Sequence, residues 1–268
     1  REGKELNTLV GHKDVVNSLA WSPNGKILAS ASNDNTVKIW DVSGSKPSVL
    51  HTITAHKAAV LDVSFSPDGQ SLVTTSADRL IKHWGVSGKL LATFAGHNDI
   101  VNSVSFSPDG QLIVSSSDDK TVKIWHINGK LLRTMRGHSD RVWEAIFSPQ
   151  QKSTLPIVTT QNTAENNLII ASASIDRSVK LWQLDGTELA SLKGHKDGAI
   201  SLSFSPDGKT LASGGLDNNI VLWNLQQVGT LDKLLVKGCR WIEDYLKNNP
   251  NLEKGDRQLC ESVFTIKR

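Results

Sequence analysis

Along Val101-Asn102-Ser103-Val104-Ser105-Phe106 apolar and small polar side chains alternate, the pattern of a strand with a buried face. Ser107-Pro108-Asp109-Gly110 then supplies a turn, with proline at its second position and glycine at its end. A second strand is predicted from Leu112 to Ser116, a tight turn at Asp118-Asp119-Lys120 and a third strand from Thr121 to Ile127. Asn128-Gly129 is a further turn, and a fourth strand from Leu131 to Met135 leads into Gly137-His138. The unit is a four-stranded meander. Such a sheet is apolar on both faces and cannot stand alone in water, so it needs sheets of its own kind stacked beside it.

The chain supplies them. His12, His56, His97, His138 and His195 stand at corresponding places, each followed by a tryptophan: Trp40, Trp84, Trp125, Trp182 and Trp223. The separation is 28 residues in four units and 44 in the fourth, which therefore carries an insertion of 16. Residues 11–40 laid on 96–125 without gaps share 17 identities in 30 positions, so the units must share one geometry. Six residues before each tryptophan is an aspartate: Asp34, Asp78, Asp119, Asp176 and Asp217. Four before that is a hydroxyl: Ser30, Thr74, Ser115, Ser172 and Ser213.

GH, SPDG, SxD and W at these spacings resemble WD40 repeats, the four-stranded blades of a β-propeller, over residues 4 to 225. The resemblance implies an all-β fold with five visible blades, either a closed ring or an arc of a larger one. The WD dipeptide itself survives only at Trp40-Asp41, and Ala55-His56 replaces GH in the second unit. Residues 5–10 match a fourth strand, which the fifth unit lacks, so closure is expected by lending that strand to the last blade and removing a raw edge. The blades are assigned to residues 1–229. The insertion, 150–167, is read as a polar loop between the first and second strands of blade four, on the face away from the histidine loops.

Beyond Gly229 the period breaks. Leu231, Leu234, Leu235, Ile242, Tyr245 and Leu246 recur at three- and four-residue steps, so 230–268 is expected to be a helical tail. Its sequence, LLVKGCRWIEDYLKNNPNLEKGDRQLC, resembles the ends of large bacterial WD-repeat proteins whose repeats follow a signalling or NTPase module.

Each unit owns an aspartate, a histidine, a hydroxyl and a tryptophan, which invites comparison with a catalytic triad. A nucleophile site is grafted once on a fold, whereas this set recurs in every unit, so the quartets are read as structural ties and no catalytic residue is assigned. The expected bonds run from histidine to the turn aspartate, with the hydroxyl bridging imidazole and indole. Consecutive histidines lie at least 41 residues apart in different units, and no metal or cofactor is expected.

The resemblance also implies where a partner would bind: the narrow face around the channel, at positions three and five after each histidine and just before each turn aspartate. On this chain those positions give an apolar arc of Leu61, Trp143, Ile175, Ile200 and Leu216, with Arg141 beside Trp143 and the polar Asn17, Asn102 and Asp118 opposite. Tryptophan and arginine are the residues that most often carry an interface's energy.

Composition narrows the rest. At 268 residues the chain needs no disulfide or metal staple, and no uncharged apolar run approaches the roughly 18 residues that span a bilayer. A formal charge of +3 is too small and dispersed for a nucleic-acid binder, and Lys38, Lys82, Lys123 and Lys180, at one repeated strand position, read as a solvated rim. A propeller enzyme would need one unrepeated cluster at the channel mouth, while His51, His83 and His126 are scattered among outer strands or their ends. Cys239 and Cys260 make no disulfide framework and fit a reducing, cytoplasmic compartment. The chain begins at Arg1 without a leader pattern, and is expected to be an excerpt with an effector domain upstream. The function expected is a non-catalytic scaffold that holds a protein or peptide and binds neither nucleic acid nor membrane.

Overall fold

A computed structural model describes residues 3, 5–149 and 168–227. The insertion 150–167, the tail 230–268 and both cysteines lie outside these residues, so the structure does not bear on the expectations for them.

The meander pattern becomes five antiparallel sheets in chain order. Blade one holds β1 (Val16–Trp21), β2 (Ile27–Ser32), β3 (Thr36–Asp41) and β4 (Ser48–Thr54). Blade two holds β5 (Val60–Phe65), β6 (Ser71–Ser76), β7 (Leu80–Gly85) and β8 (Leu90–Ala95). Blade three holds β9 (Val101–Phe106), β10 (Leu112–Ser117), β11 (Thr121–His126) and β12 (Leu131–Arg136). Blade four holds β13 (Val142–Phe147), β14 (Ile169–Ser174), β15 (Ser178–Gln183) and β16 (Glu188–Lys193). Blade five has three strands, β17 (Ala199–Phe204), β18 (Thr210–Gly215) and β19 (Ile220–Asn224), followed by one 3-10 turn at Leu225–Gln227.

The turns carry the chemistry their residues dictate. Gly25, Gly69, Gly110 and Gly208 adopt φ of 60–71°, which side chains resist, and close the turn after the first strand in blades one, two, three and five. At the next turn a non-glycine residue takes φ of 62–72° in every unit: Asn35, Arg79, Lys120, Arg177 and Asn218. The preceding aspartate holds it there by accepting the N–H two residues on, as Asp119 does from Thr121 at 3.0 Å.

The inner strands β1, β5, β9, β13 and β17 pack each against the next, and the core lies in the seams between blades. In the first seam Ala29, Ala31, Val37 and Ile39 meet Val60, Val63, Phe65 and Leu72. The same repeat slots supply Val73 and Ile81 against Val101, Val104, Phe106 and Ile113 in the second. Val114, Val122 and Ile124 meet Val142, Ala145, Phe147 and Ile170 in the third, and Ala171, Ala173, Val179 and Leu181 meet Ala199, Leu202 and Leu211 in the fourth. Each large side chain so buried contributes about 1.5–3 kcal/mol. The second seam has a flaw: the slots of Ala31 and Ile39 hold Thr75 and His83, whose Oγ1 and Nε2 are buried without a hydrogen-bond partner. His83, expected among outer strands or their ends, stands instead inside this seam on β7, with its ring edge-on to Phe106.

The ring does not close among the described residues. Residues 5–10 form no strand, Leu6 and Val10 are exposed, and blade five keeps three strands. A fourth strand there would have to bond along β19, and β19 stands at the far end of the arc from residues 5–10. Among the described residues the five blades stand in chain order, with no strand pairing between the first and the last.

Candidate partner-binding face

The five quartets are assembled, one per blade. His12, His56, His97, His138 and His195 place Nδ1 at 2.9, 3.0, 2.9, 2.8 and 3.1 Å from Asp34, Asp78, Asp119, Asp176 and Asp217. Their Nε2 atoms lie 2.6, 2.8, 2.8, 2.8 and 2.7 Å from the hydroxyls of Ser30, Thr74, Ser115, Ser172 and Ser213. Those hydroxyl oxygens accept the indole N–H of Trp40, Trp84, Trp125, Trp182 and Trp223 at 2.8–3.0 Å.

The proton order follows from the donors. An indole can only donate, so the hydroxyl accepts from it and gives its own hydrogen to Nε2, which leaves Nδ1–H to donate to the aspartate. Burial lowers the imidazole pKa of His56, His97 and His138, which keeps these rings neutral as that order requires. Burial alone would raise the Asp119 carboxyl, but the bonds from His97, Thr121 and the Asn98 N–H outweigh it and hold the group well below the usual carboxylate range. The order resembles that of a hydrolase triad, yet each hydroxyl is buried and capped by an indole, which leaves no approach for a substrate carbonyl. The glycine before the histidine belongs to the same construction: a Cβ on Gly194 would stand 2.7 Å from the Trp223 ring.

The inner strands share a second device. Each contains a β-bulge, with register shifts at Val16/Ser18, Val60/Asp62, Ser116/Ser117 opposite Val101 and Ser103, Val142/Glu144 and Ala199/Ser201. The bulged residues are Asn17, Leu61, Asn102, Trp143 and Ile200, and a bulge re-aims its side chain out of the regular pleat. Sequence alternation gives no sign of this.

The positions read as partner contacts divide into two kinds. In blades one and three they are tied internally: Asn17 Nδ2 donates to Asn33 at 2.7 Å and to the Val60 carbonyl of blade two at 2.8 Å. Asn102 Nδ2 likewise donates to Asp118 at 2.7 Å and to the Val142 carbonyl of blade four at 2.9 Å. The other Asp118 oxygen lies 3.9 Å from the guanidinium of exposed Arg141. Around blades four and five the positions are apolar. Trp143 and Leu216 are 43% and 49% exposed, while Ile175 and Ile200 are half-buried, as is Leu61 in blade two. Gly198 stands between Ile175 and Leu216: a Cβ there would come within 2.9 Å of Ile175 Cδ1 and 3.3 Å of Leu216 Cδ1. The missing side chain lets the two blades' apolar tips meet.

Two functional groups escape the sequence reading. Six residues after each histidine stand Ser18, Asp62, Ser103, Glu144 and Ser201, on the inner strands. Asp62 accepts from Ser18 at 2.7 Å and from the Val104 N–H at 2.9 Å, Ser103 accepts the Ala145 N–H, and Glu144 accepts the Leu202 N–H. Each of these three side chains accepts an N–H from the next inner strand. Burial raises the Asp62 carboxyl, and burial with the nearby Asp62 charge pushes Glu144 up to about 7. The signal was a carboxylate twice replacing a small hydroxyl at one repeat position. At the opposite mouth, where the SPDG turns lie, Phe65, Phe106, Phe147 and Phe204 with Pro67, Pro108, Pro149 and Pro206 line a cavity of about 350 Å³.

The lysines are not a solvated rim. Lys123 and Lys180 are buried, and Lys38, Lys82, Lys123 and Lys180 direct their ammonium groups to Thr52, the Ala55 carbonyl, Thr134 and Glu188 within their own blades. The ammonium groups of Lys82 and Lys180 also lie 5.7 and 5.9 Å from the ring centroids of Trp84 and Trp182.

Residues 3–41, 47–85, 88–126, 129–183 and 186–224 each match the family described as WD domain, G-beta repeat. Over 66 residues, 24% of this chain, it is 44% identical to the small ribosomal subunit protein RACK1y of Oryza sativa subsp. japonica. It is 37% identical over 65 residues to the human WD repeat and SOCS box-containing protein 1, also 24% of this chain, and 33% identical over 94 residues, 32% of it, to nuclear distribution protein PAC1-2 of Uncinocarpus reesii. The matched stretches span 20%, 15% and 20% of those relatives. All three are eukaryotic, so they lend no support to the bacterial setting that the tail's resemblance implied.

Proposed function

Because the chain belongs to the WD40-repeat family, we propose that it is a non-catalytic scaffold that holds a protein or peptide at the channel mouth of blades four and five. The observations that carry this are the meeting of Ile175 and Leu216 over Gly198 and the exposed, bulged Trp143 on the adjoining strand β13, with Arg141 two residues before it. Exposed apolar side chains rimmed by polar ones fit a protein interface, and tryptophan beside arginine is a frequent energetic centre. The relatives support the reading in general terms, since the rice protein is by name a component of a ribosomal subunit. The sealed hydroxyls of the quartets support a non-catalytic role, and the lysines' bonds within their blades support a partner other than nucleic acid. In its fuller form the proposal places the scaffold in the cytoplasm, coupled to an effector in the same polypeptide; the low cysteine count and the tail's resemblance are what favour that form.

The test is a peptide selected from a random library against the whole chain, followed by titration calorimetry. Trp143→Ala is expected to cost about 2–4 kcal/mol of binding, roughly 30- to 1,000-fold, while the melting temperature stays within about 2 °C of wild type. Ligands that bind Trp143→Ala undiminished, or that bind at the Phe65 and Phe106 mouth, would refute the assignment.

A further inference from the structure

The chain's net charge is not evenly dispersed. Residues 120–139 hold five basic side chains and no acidic one, a local charge of +5 against +3 for the whole chain, so the remainder carries −2. They form the β11–β12 hairpin of blade three with its flanking turns. Lys120, Lys130, Arg133 and Arg136 are exposed, and Lys123 is buried on the adjoining strand. Burial lowers the Lys123 pKa and the Arg136 charge lowers it further, against the pull of Asp119, so the cations here are crowded. Among the described residues no ion pair engages Lys130, Arg133 or Arg136, and the Arg133 guanidinium turns back to the Leu132 carbonyl at 2.8 Å.

β12 is also the outer strand of its sheet, and among the described residues no strand pairs with its outer side. Such an edge offers backbone N–H and C=O groups to any extended segment that arrives. Guarding the edge does not require this charge, because the outer strands β4 and β8 of blades one and two contain no charged residue. We propose that the outer edge of β12 is a second docking surface, taking an acidic extended segment of a partner protein as a fifth strand of blade three. Backbone hydrogen bonds supply the affinity, and carboxylates over Lys130, Arg133 and Arg136 select the partner. Arg133 and Arg136 are three residues apart in regular register with β11 and so stand on opposite faces, where an acid on either face of the incoming strand meets a base. The same charges repel a second copy of β12. An acidic peptide is favoured over nucleic acid because the hairpin's tryptophan, Trp125, is buried and offers bases nothing to stack on.

Fluorescence anisotropy on the full 268-residue chain, with a labelled peptide of alternating glutamate and valine, tests this. Binding is expected with Kd below about 300 μM at about 50 mM salt, weakening as salt rises. Arg133→Glu combined with Arg136→Glu is expected to weaken it at least about tenfold, with the melting temperature within about 2 °C of wild type. Lys89→Glu, an exposed charge reversal in blade two, is expected to stay within about twofold of wild type, so that local rather than total charge is read. Proline at alternate positions of the peptide removes its N–H groups, keeps its carboxylates, and is expected to abolish binding. An interrupted peptide that binds as well would mean that charge acts without strand addition. Arginine reversals that leave the affinity untouched would place the acid elsewhere, and a single-stranded RNA held by the hairpin more tightly than the peptide would make the patch a nucleic-acid surface. Each of these results overturns the proposal, as does a peptide that shows no binding up to about 1 mM.

Discussion

Replacing His97 by alanine asks whether the quartets hold the blades together. His97 is buried, and its imidazole connects the Asp119 carboxylate at 2.9 Å to the Ser115 hydroxyl at 2.8 Å. Alanine removes a bond to a charged group, worth about 1.5–3 kcal/mol, and a neutral one worth about 0.5–1.5 kcal/mol. The partners are not wholly stranded, since Asp119 keeps the N–H groups of Asn98 and Thr121 and the Thr121 hydroxyl, and Ser115 keeps Trp125. The net loss is therefore about 3 kcal/mol, which for a domain of this size lowers the melting temperature by about 6–12 °C. Thermal melting followed by circular dichroism at pH 7.5 measures it, with His51→Ala on the exposed face of β4 as the control, expected within about 0.5 kcal/mol of wild type. Hydrogen exchange should place the loss in blade three and its two seams. If His97→Ala melts within about 2 °C of wild type, the quartets do not tie the blades, and the apolar seams alone hold the arc together.

Two other substitutions follow from single side chains. Glu144 has its folded pKa raised to about 7 from 4.5, so the native state holds the proton more tightly and stability falls as pH rises from about 4.5 through about 7. Glu144→Gln keeps an acceptor for the Leu202 N–H without the charge; it should exceed wild type by about 1–2 kcal/mol in urea unfolding at pH 8 and equal it at pH 4, and equal stabilities at both values would contradict the burial of this carboxylate. His83→Ile restores in blade two the residue that blades one and three carry as Ile39 and Ile124, and removal of a buried unpartnered nitrogen should raise stability by about 1 kcal/mol, read as a higher melting temperature. A drop instead would mean that His83 has a partner the geometry does not reveal.

Much of the fold was legible because repetition multiplies each weak signal. One Ser107-Pro108-Asp109-Gly110 is only a turn, but a turn of that kind at matching distances from the histidine and the tryptophan in four of five units leaves one arrangement that satisfies them all. The quartets were legible for the same reason. What repetition could not carry was anything fixed by the ends of the array. The N-terminal strand was matched by pattern to a place on β19, but a strand forms only where a neighbour offers its edge, and β19 stands at the other end of the arc.

The partner-binding face divides along the same line. Position five after the histidine is one bulge in every blade, yet its chemistry depends on what crosses from the next blade. Asn17 and Asn102 each find a carbonyl there and fasten a seam, so their polarity serves the scaffold. Trp143 has the same bulge and no amide to offer, and its side chain stays exposed. The same reasoning covers position six, where Ser103 accepts one N–H from the next blade without cost and Glu144 accepts its own by taking a carboxylate into the channel wall. Residues that keep the repeat's chemistry therefore belong to the architecture. Those that depart from it while keeping its backbone, Trp143, Glu144 and Gly198, distinguish this arc from any other stack of the same blades, and a function particular to this chain has to be sought there.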